Sequence, residues 1–311
     1  MNMTTPKRQL FKQGIYIFGL LFLSAILGII VSITANYFVS SVKWFLSLRT
    51  GNIAFFGFLD FLFAPVLWLF LVVFILYYVR KICDITRWHG PSDAVYASHR
   101  TDNELDLKRG LGSTFAALVS LCGGAPVGQY GPLVNFGASI ASFFSQITRI
   151  KLITPEILMS CGVAAAISAG FHAPIAGIIF AHEAILRHFS LRAMLPIAVS
   201  STISAAFGSW AFGGSPLFSL KVGAPELMPL LPALFISGFV FGTVALIYMK
   251  MIFGFSSIPA KYKLGYLPFA LFAAAVTGVF GVFFPEVLGL GVDIIFSFIT
   301  DDFSIAFIII L

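Results

Sequence analysis

Gly128-Gln129-Tyr130-Gly131-Pro132 opens the apolar segment Leu133-Val134-Asn135-Phe136-Gly137-Ala138-Ser139-Ile140, and the reading of that junction decides the fold. Two glycines let the backbone turn sharply and let a ligand come close. Pro132 suits a helix start, where a missing N–H matters little because first-turn donors have no intrahelical acceptor. A helix beginning there aims its unpaired N–H groups and the positive end of its dipole at whatever lies ahead, which favours an anion. No carboxylate or basic side chain stands between Arg109 and Arg149. If the helix starts inside a membrane, the anion site is made of backbone rather than of fixed charge. Ordinary kinking of a structural helix is the competing reading of the same break.

Composition places that helix in a membrane. The chain is 59% hydrophobic and 10% charged, with 36 phenylalanines and a mean hydropathy of +0.98, outside the range of a water-soluble globular protein. Lysines and arginines gather at segment ends, where they anchor to headgroups, so the net charge of +6 is no nucleic-acid footprint. Cys83, Cys122 and Cys161 match no metal spacing and read as buried thiols. No pattern for a cofactor, or for an enzyme's nucleophile and base, is present.

From the N-terminus, residues 1–13 form a polar, cytoplasmic segment with Lys7, Arg8 and Lys12 and no cleavable leader pattern. An apolar run from Ile15 to Phe45 predicts one long tilted helix, and a second span covers Phe55 to Val79. Lys43 and Arg49 lie between these spans, whereas Arg80, Lys81, Arg87, Arg100, Lys108 and Arg109 follow the second. The bias puts the N-terminus in the cytoplasm of a multi-pass cell-membrane protein.

After Gly110 the apolar segments shorten. Helices are expected at Leu107–Cys122, Pro132–Ile147, Pro155–Gly170, Pro174–Leu186 and Leu191–Phe212, three of them opening on proline. Short broken helices in a bilayer leave backbone groups that must be buried in protein or line a wet cavity. That pattern points to a transport site between inverted repeats. Residues 14–213 form the first membrane half in this reading. Residues 214–311 begin the second, with Leu227–Phe253, Gly265–Phe284 and Glu286–Ile299 as its pieces.

Two stretches carry a family resemblance. Gly128-Gln129-Tyr130-Gly131-Pro132, with Val134 and Gly137-Ala138, resembles the Gly-Lys/Arg-Glu-Gly-Pro anion-pathway motif of the CLC chloride channels and proton-coupled chloride antiporters. Gly162-Val163-Ala164-Ala165-Ala166-Ile167-Ser168-Ala169-Gly170-Phe171-His172-Ala173-Pro174-Ile175-Ala176-Gly177-Ile178-Ile179-Phe180 resembles that family's Gly-Ala-Ala-Ala-Gly…Phe-Asn-Ala-Pro-Leu-Ala-Gly segment. Phe284-Pro285-Glu286-Val287-Leu288-Gly289-Leu290-Gly291 is similar to its later half. The resemblance implies an all-α polytopic membrane fold with two inverted halves, assembled as a homodimer. The small-residue run Ser200–Ala206 allows close helix approach, and a dimer surface is expected near Leu191–Phe212.

Carried over residue by residue, the resemblance is atypical. The family's gating glutamate falls on Tyr130, a neutral phenol that can block sterically or donate its O–H to an anion, or simply pack at the pore rim. Its inner proton-transfer glutamate falls on Ala184, next to Glu183. Glu183, with His182, Arg187 and His188, reads as an interfacial charge cluster, with Glu183 and His182 as the alternative proton relay. The family's Gly-Ser-Gly-Ile-Pro corresponds to Arg87-Trp88-His89-Gly90-Pro91-Ser92, with Trp88 in place of the serine, and Ser92 would cap a helix over Asp93–Ser98. The expected function is passive conduction of chloride or another small anion through Gly128, Gln129, Tyr130, Gly131 and Pro132, with Tyr130 as the gate. A chloride/proton antiporter and a non-conducting membrane subunit are the alternatives. The family's later Gly-x-Phe-x-Pro motif has no match up to Leu311, so the 311 residues correspond to the first two thirds of its membrane domain.

Overall fold

The computed structural model describes residues 5–50, 65–100, 104–148, 154–213, 227–291 and 295. Among them the chain is helical, without strands. The first helix, α1 (Thr5–Thr50), begins inside the polar tail and extends beyond the expected limits at both ends. Its 46 residues reach about 69 Å at 1.5 Å per residue, so it lies oblique to any bilayer it crosses. The next, α2 (Pro65–Ile82), supplies the second span; the residues between Phe55 and Pro65 lie outside the described set. Among the described residues, five helices are long and apolar enough to cross a membrane. The chain is a polytopic membrane protein.

The helices α3 (Pro91–Ser98), α4 (Leu107–Cys122), α5 (Tyr130–Thr148), α6 (Pro155–Phe171), α7 (Pro174–Phe180) and α8 (Leu191–Phe212) follow. The chain after α7 winds into a π-helical turn, Ala181–Leu186, rather than continuing the expected α-helix to Leu186. At the centre stands α6, buried from Leu158 to Gly170 apart from half-buried Ile167. It crosses α5 at Gly137 and Gly162, where a Cβ on either glycine would overlap the other's carbonyl oxygen. Neither helix could approach so closely with a side chain at that point.

Serines bind the other side of α6. Ser200 and Ser204 donate to the carbonyls of Cys161 and Ala165, at 3.0 and 2.8 Å, and Ser168 donates to Ser201 O at 2.6 Å. From α1, Ser32 donates to Ser204 O. Ser200, Ser201 and Ser204 are therefore buried inside one subunit. Small hydroxyls let α1, α6 and α8 close on each other while each of these O–H groups finds an acceptor, and Thr202 of the same run is left exposed. Of the thiols, only Cys161 is buried; Cys83 and Cys122 are half-buried.

The later part is looser. Helix α10 (Tyr266–Phe283) packs on α2 through Leu69, Val73 and Ala274, with Gly278 against the Val66 backbone. The α9 helix (Leu227–Lys261) buries none of its span against other described residues. Glu286 belongs to a single 3-10 turn, Pro285–Val287, rather than opening a helix, and most of the expected piece beyond it lies outside the described residues. Gly289 then donates its N–H to Gly124 O at 3.0 Å. Both glycines hold positive φ, +90° and +89°, a conformation costly for other residues, so this tie between the α4–α5 loop and the late stretch depends on them.

Candidate functional site

The α5 helix begins at Tyr130, two residues before the expected Pro132. Gln129, Tyr130 and Gly131 therefore carry the amides without intrahelical acceptors, and Pro132, one position on, has no N–H to satisfy. The ring of Tyr130 stacks on Phe171 with centroids 3.8 Å apart and planes 27° from parallel. Gly170 makes room for it, since a Cβ there would lie 2.7 Å from Tyr130 Cδ1. The gate candidate is thus held over the end of α6. Two buried polar atoms in this motif lack a partner, the Tyr130 hydroxyl and Gln129 Oε1. Leaving a buried polar group unpaired costs about 1–3 kcal/mol. Such groups call for an explanation in strain, a functional role, or a bound water or ion.

A second helix start meets the first. Pro91, the first residue of α3, lies with its ring 3.6 Å from the point where a Cβ on Gly131 would stand. The cap is Gly90 rather than the expected Ser92: Gly90 N–H donates to Asp93 Oδ2 at 2.8 Å. The physical reason is reach, since a carboxylate three residues on can fold back to the cap amide, whereas Ser92 is already within the helix. Asp93 is buried and its other oxygen pairs with Arg87. A carboxylate already satisfies the α3 cap amide.

The loop before α3 is fixed from several sides. His89 N–H donates to Ser113 Oγ at 3.0 Å, while His89 Nδ1 is buried without a partner. The Trp88 ring lies tilted beside Tyr266, with centroids 6.4 Å apart. Arg80 stacks its guanidinium 4.4 Å over the Tyr266 ring and donates to Ile85 O and Thr86 O. Thr114 on α4 donates to Pro132 O at 3.1 Å, tying α4 to the first turn of α5.

His182 and Glu183 lie in the π turn after α7. His182 is buried, 5.2 Å from the Phe189 ring, with Nδ1 3.0 Å from Ile178 O. Glu183, Arg187 and His188 are exposed. Sequence reasoning missed Asp93, Ser113, Thr114 and the role of Phe171. For Asp93 the signal was present, because an acidic residue three positions after a glycine at a helix start is the capping-box spacing.

Residues 69–311 match the profile of the family described as "Voltage gated chloride channel". This chain belongs to that family. Within the voltage-gated chloride channel family, the chain is 26% identical over 228 residues to the ClC-type channel ClcB of Escherichia coli O9:H4, covering 69% of this chain and 51% of that protein. It is 28% identical over 209 residues to the H(+)/Cl(−) exchange transporter ClcA of Vibrio parahaemolyticus, covering 63% and 44%. The chain spans about half the length of these curated relatives. The fold is similar to that of a slow cyanobacterial Cl−/H+ antiporter, with TM-score 0.75 and 18% identity over 94% of this chain and 70% of that one. A CLC-type fluoride/proton antiporter gives TM-score 0.72 at 20% identity, over 92% and 71%.

Proposed function

We propose that the full-length protein conducts chloride or another small anion passively across the cell membrane, through a site at the start of α5 limited by Tyr130. The observation that carries this reading is the meeting of the α3 and α5 starts at Pro91 and Gly131, beside a buried tyrosine hydroxyl without a partner. Backbone amides and a neutral O–H suit permeation because they bind an anion without holding it as a fixed cation would. Tyr130 puts a phenol, a hydrogen-bond donor, where the resemblance places a carboxylate. The N-terminus is taken as cytoplasmic and the assembly as a homodimer through the outer faces of α7 and α8, where Ile175, Ile179, Leu195 and Thr202 are exposed.

The second reading is chloride/proton exchange, favoured by the likeness to a named exchange transporter and by the buried imidazole of His182. The experiment that separates them is anion efflux from liposomes holding the full-length protein, followed with chloride and pH electrodes together, for the parent, Tyr130→Ala and Tyr130→Glu. Chloride release without proton movement, faster in Tyr130→Ala, is the expected result. Stoichiometric proton movement in the parent overturns passive conduction and directs attention to His182 and Glu183. No flux in any form supports a non-conducting subunit.

A further inference from the structure

The helix α5 carries Asn135, Ser139, Ser142 and Gln146 at alternating spacings of four and three, so they share one face. That face meets α4 and the residue that leads into it. Asn135 Nδ2 donates to Gly110 O at 3.2 Å, and Leu105 N–H donates to Ser142 Oγ at 3.0 Å. Gln146, exposed at the far end, donates to Ser142 Oγ at 3.5 Å. Asn135, Ser139 and Ser142 are each 0% exposed. Two atoms in the middle of this otherwise bonded stripe have no partner: Asn135 Oδ1 and Ser139 Oγ.

Both side chains lie beside Gly110. A Cβ on Gly110 would overlap Ser139 Oγ and would lie 3.8 Å from Asn135 Nδ2. The orientation of the amide is set by its bond to Gly110 O, because turning it over would put two carbonyl oxygens face to face. The free atom of Asn135 is consequently an acceptor. It repels an anion, and two neutral oxygens fall far short of the six or more oxygen ligands that a hard divalent cation takes. What the pair requires is a small neutral donor.

We propose that the α4–α5 seam binds water: a molecule donates to Asn135 Oδ1 and shares a hydrogen bond with Ser139 Oγ, along the second and third turns of α5. A single water spans polar atoms up to about 5.5 Å apart, twice an ordinary O–H···O length. It fills the hydrogen-bonding needs of an Asn135 side chain that already ties α5 to Gly110 O on α4, beside the bond from Thr114 to Pro132 O. The assignment does not depend on whether the protein conducts.

The test is a map of the full-length protein in lipid nanodiscs at a resolution that shows water, for the parent, Ser139→Val and Ser113→Ala. The expected result is a peak at hydrogen-bond distance from both Asn135 Oδ1 and Ser139 Oγ in the parent and in Ser113→Ala, lost in Ser139→Val. A direct Ser139–Asn135 hydrogen bond, an empty seam in the parent, or a peak with short cation–oxygen distances overturns the proposal. The parent map alone decides the matter if Ser139→Val does not fold.

Discussion

Replacing Phe171 with alanine removes the surface against which Tyr130 is held. The two rings lie 3.8 Å apart and nearly parallel, and the Tyr130 hydroxyl has no partner, so no polar anchor supplements the stack. An aromatic pair contributes about 0.5–1.5 kcal/mol beyond its buried area. At 0.59 kcal/mol for RT, that shifts the ratio of displaced to stacked tyrosine by roughly 2- to 13-fold. Phe171 is 39% exposed, so its truncation leaves little void and the fold should survive. If displacement of Tyr130 opens the path, chloride efflux from liposomes should rise about 2- to 10-fold in Phe171→Ala, towards the rate of Tyr130→Ala. The double variant should be no faster than Tyr130→Ala alone, because both changes act on one ring. Rates that multiply in the double variant, or a Phe171→Ala rate equal to the parent's while Tyr130→Ala is faster, would refute the stack as the latch.

Two further predictions concern packing and assembly. Gly137→Ala places a methyl on the Gly162 carbonyl and should lower stability by about 1–3 kcal/mol, read as a fall in the thermal midpoint in mild detergent; an unchanged midpoint would mean that α5 and α6 are not in this contact. Single cysteines at Leu195 or Thr202, on the exposed side of α8 and in a background lacking the native thiols, should crosslink into dimers, whereas one at buried Ser204 should not. Capture of monomers alone would remove that face as the interface.

Much of the helical plan was legible because proline and glycine mark its boundaries. Leu107–Cys122 and Leu191–Phe212 stand where the sequence places them, and the prolines at 155 and 174 open α6 and α7. Tyr130 escaped as a helical residue because Pro132 is the stronger start signal, yet proline is also tolerated elsewhere in a first turn. Which face of α8 turns inward could not be read from small residues, since the same serines serve contacts within or between subunits. Only their acceptors, the carbonyls on α6, decide it. The stacking of Tyr130 on Phe171 joins residues 41 positions apart, and no local spacing encodes it.

The enclosure of α6 sets an order for assembly. Its 17 residues reach about 26 Å, short of a hydrocarbon core of about 30 Å, and nearly all of its surface is spoken for by protein. During synthesis it leaves the ribosome before α8, whose Ser200 and Ser204 complete its far side. Until those serines arrive, one flank of α6 has only lipid or solvent for company. The middle helix is made early and finished late, so a nascent chain halted before Leu191 holds its central helix without the neighbour that encloses it.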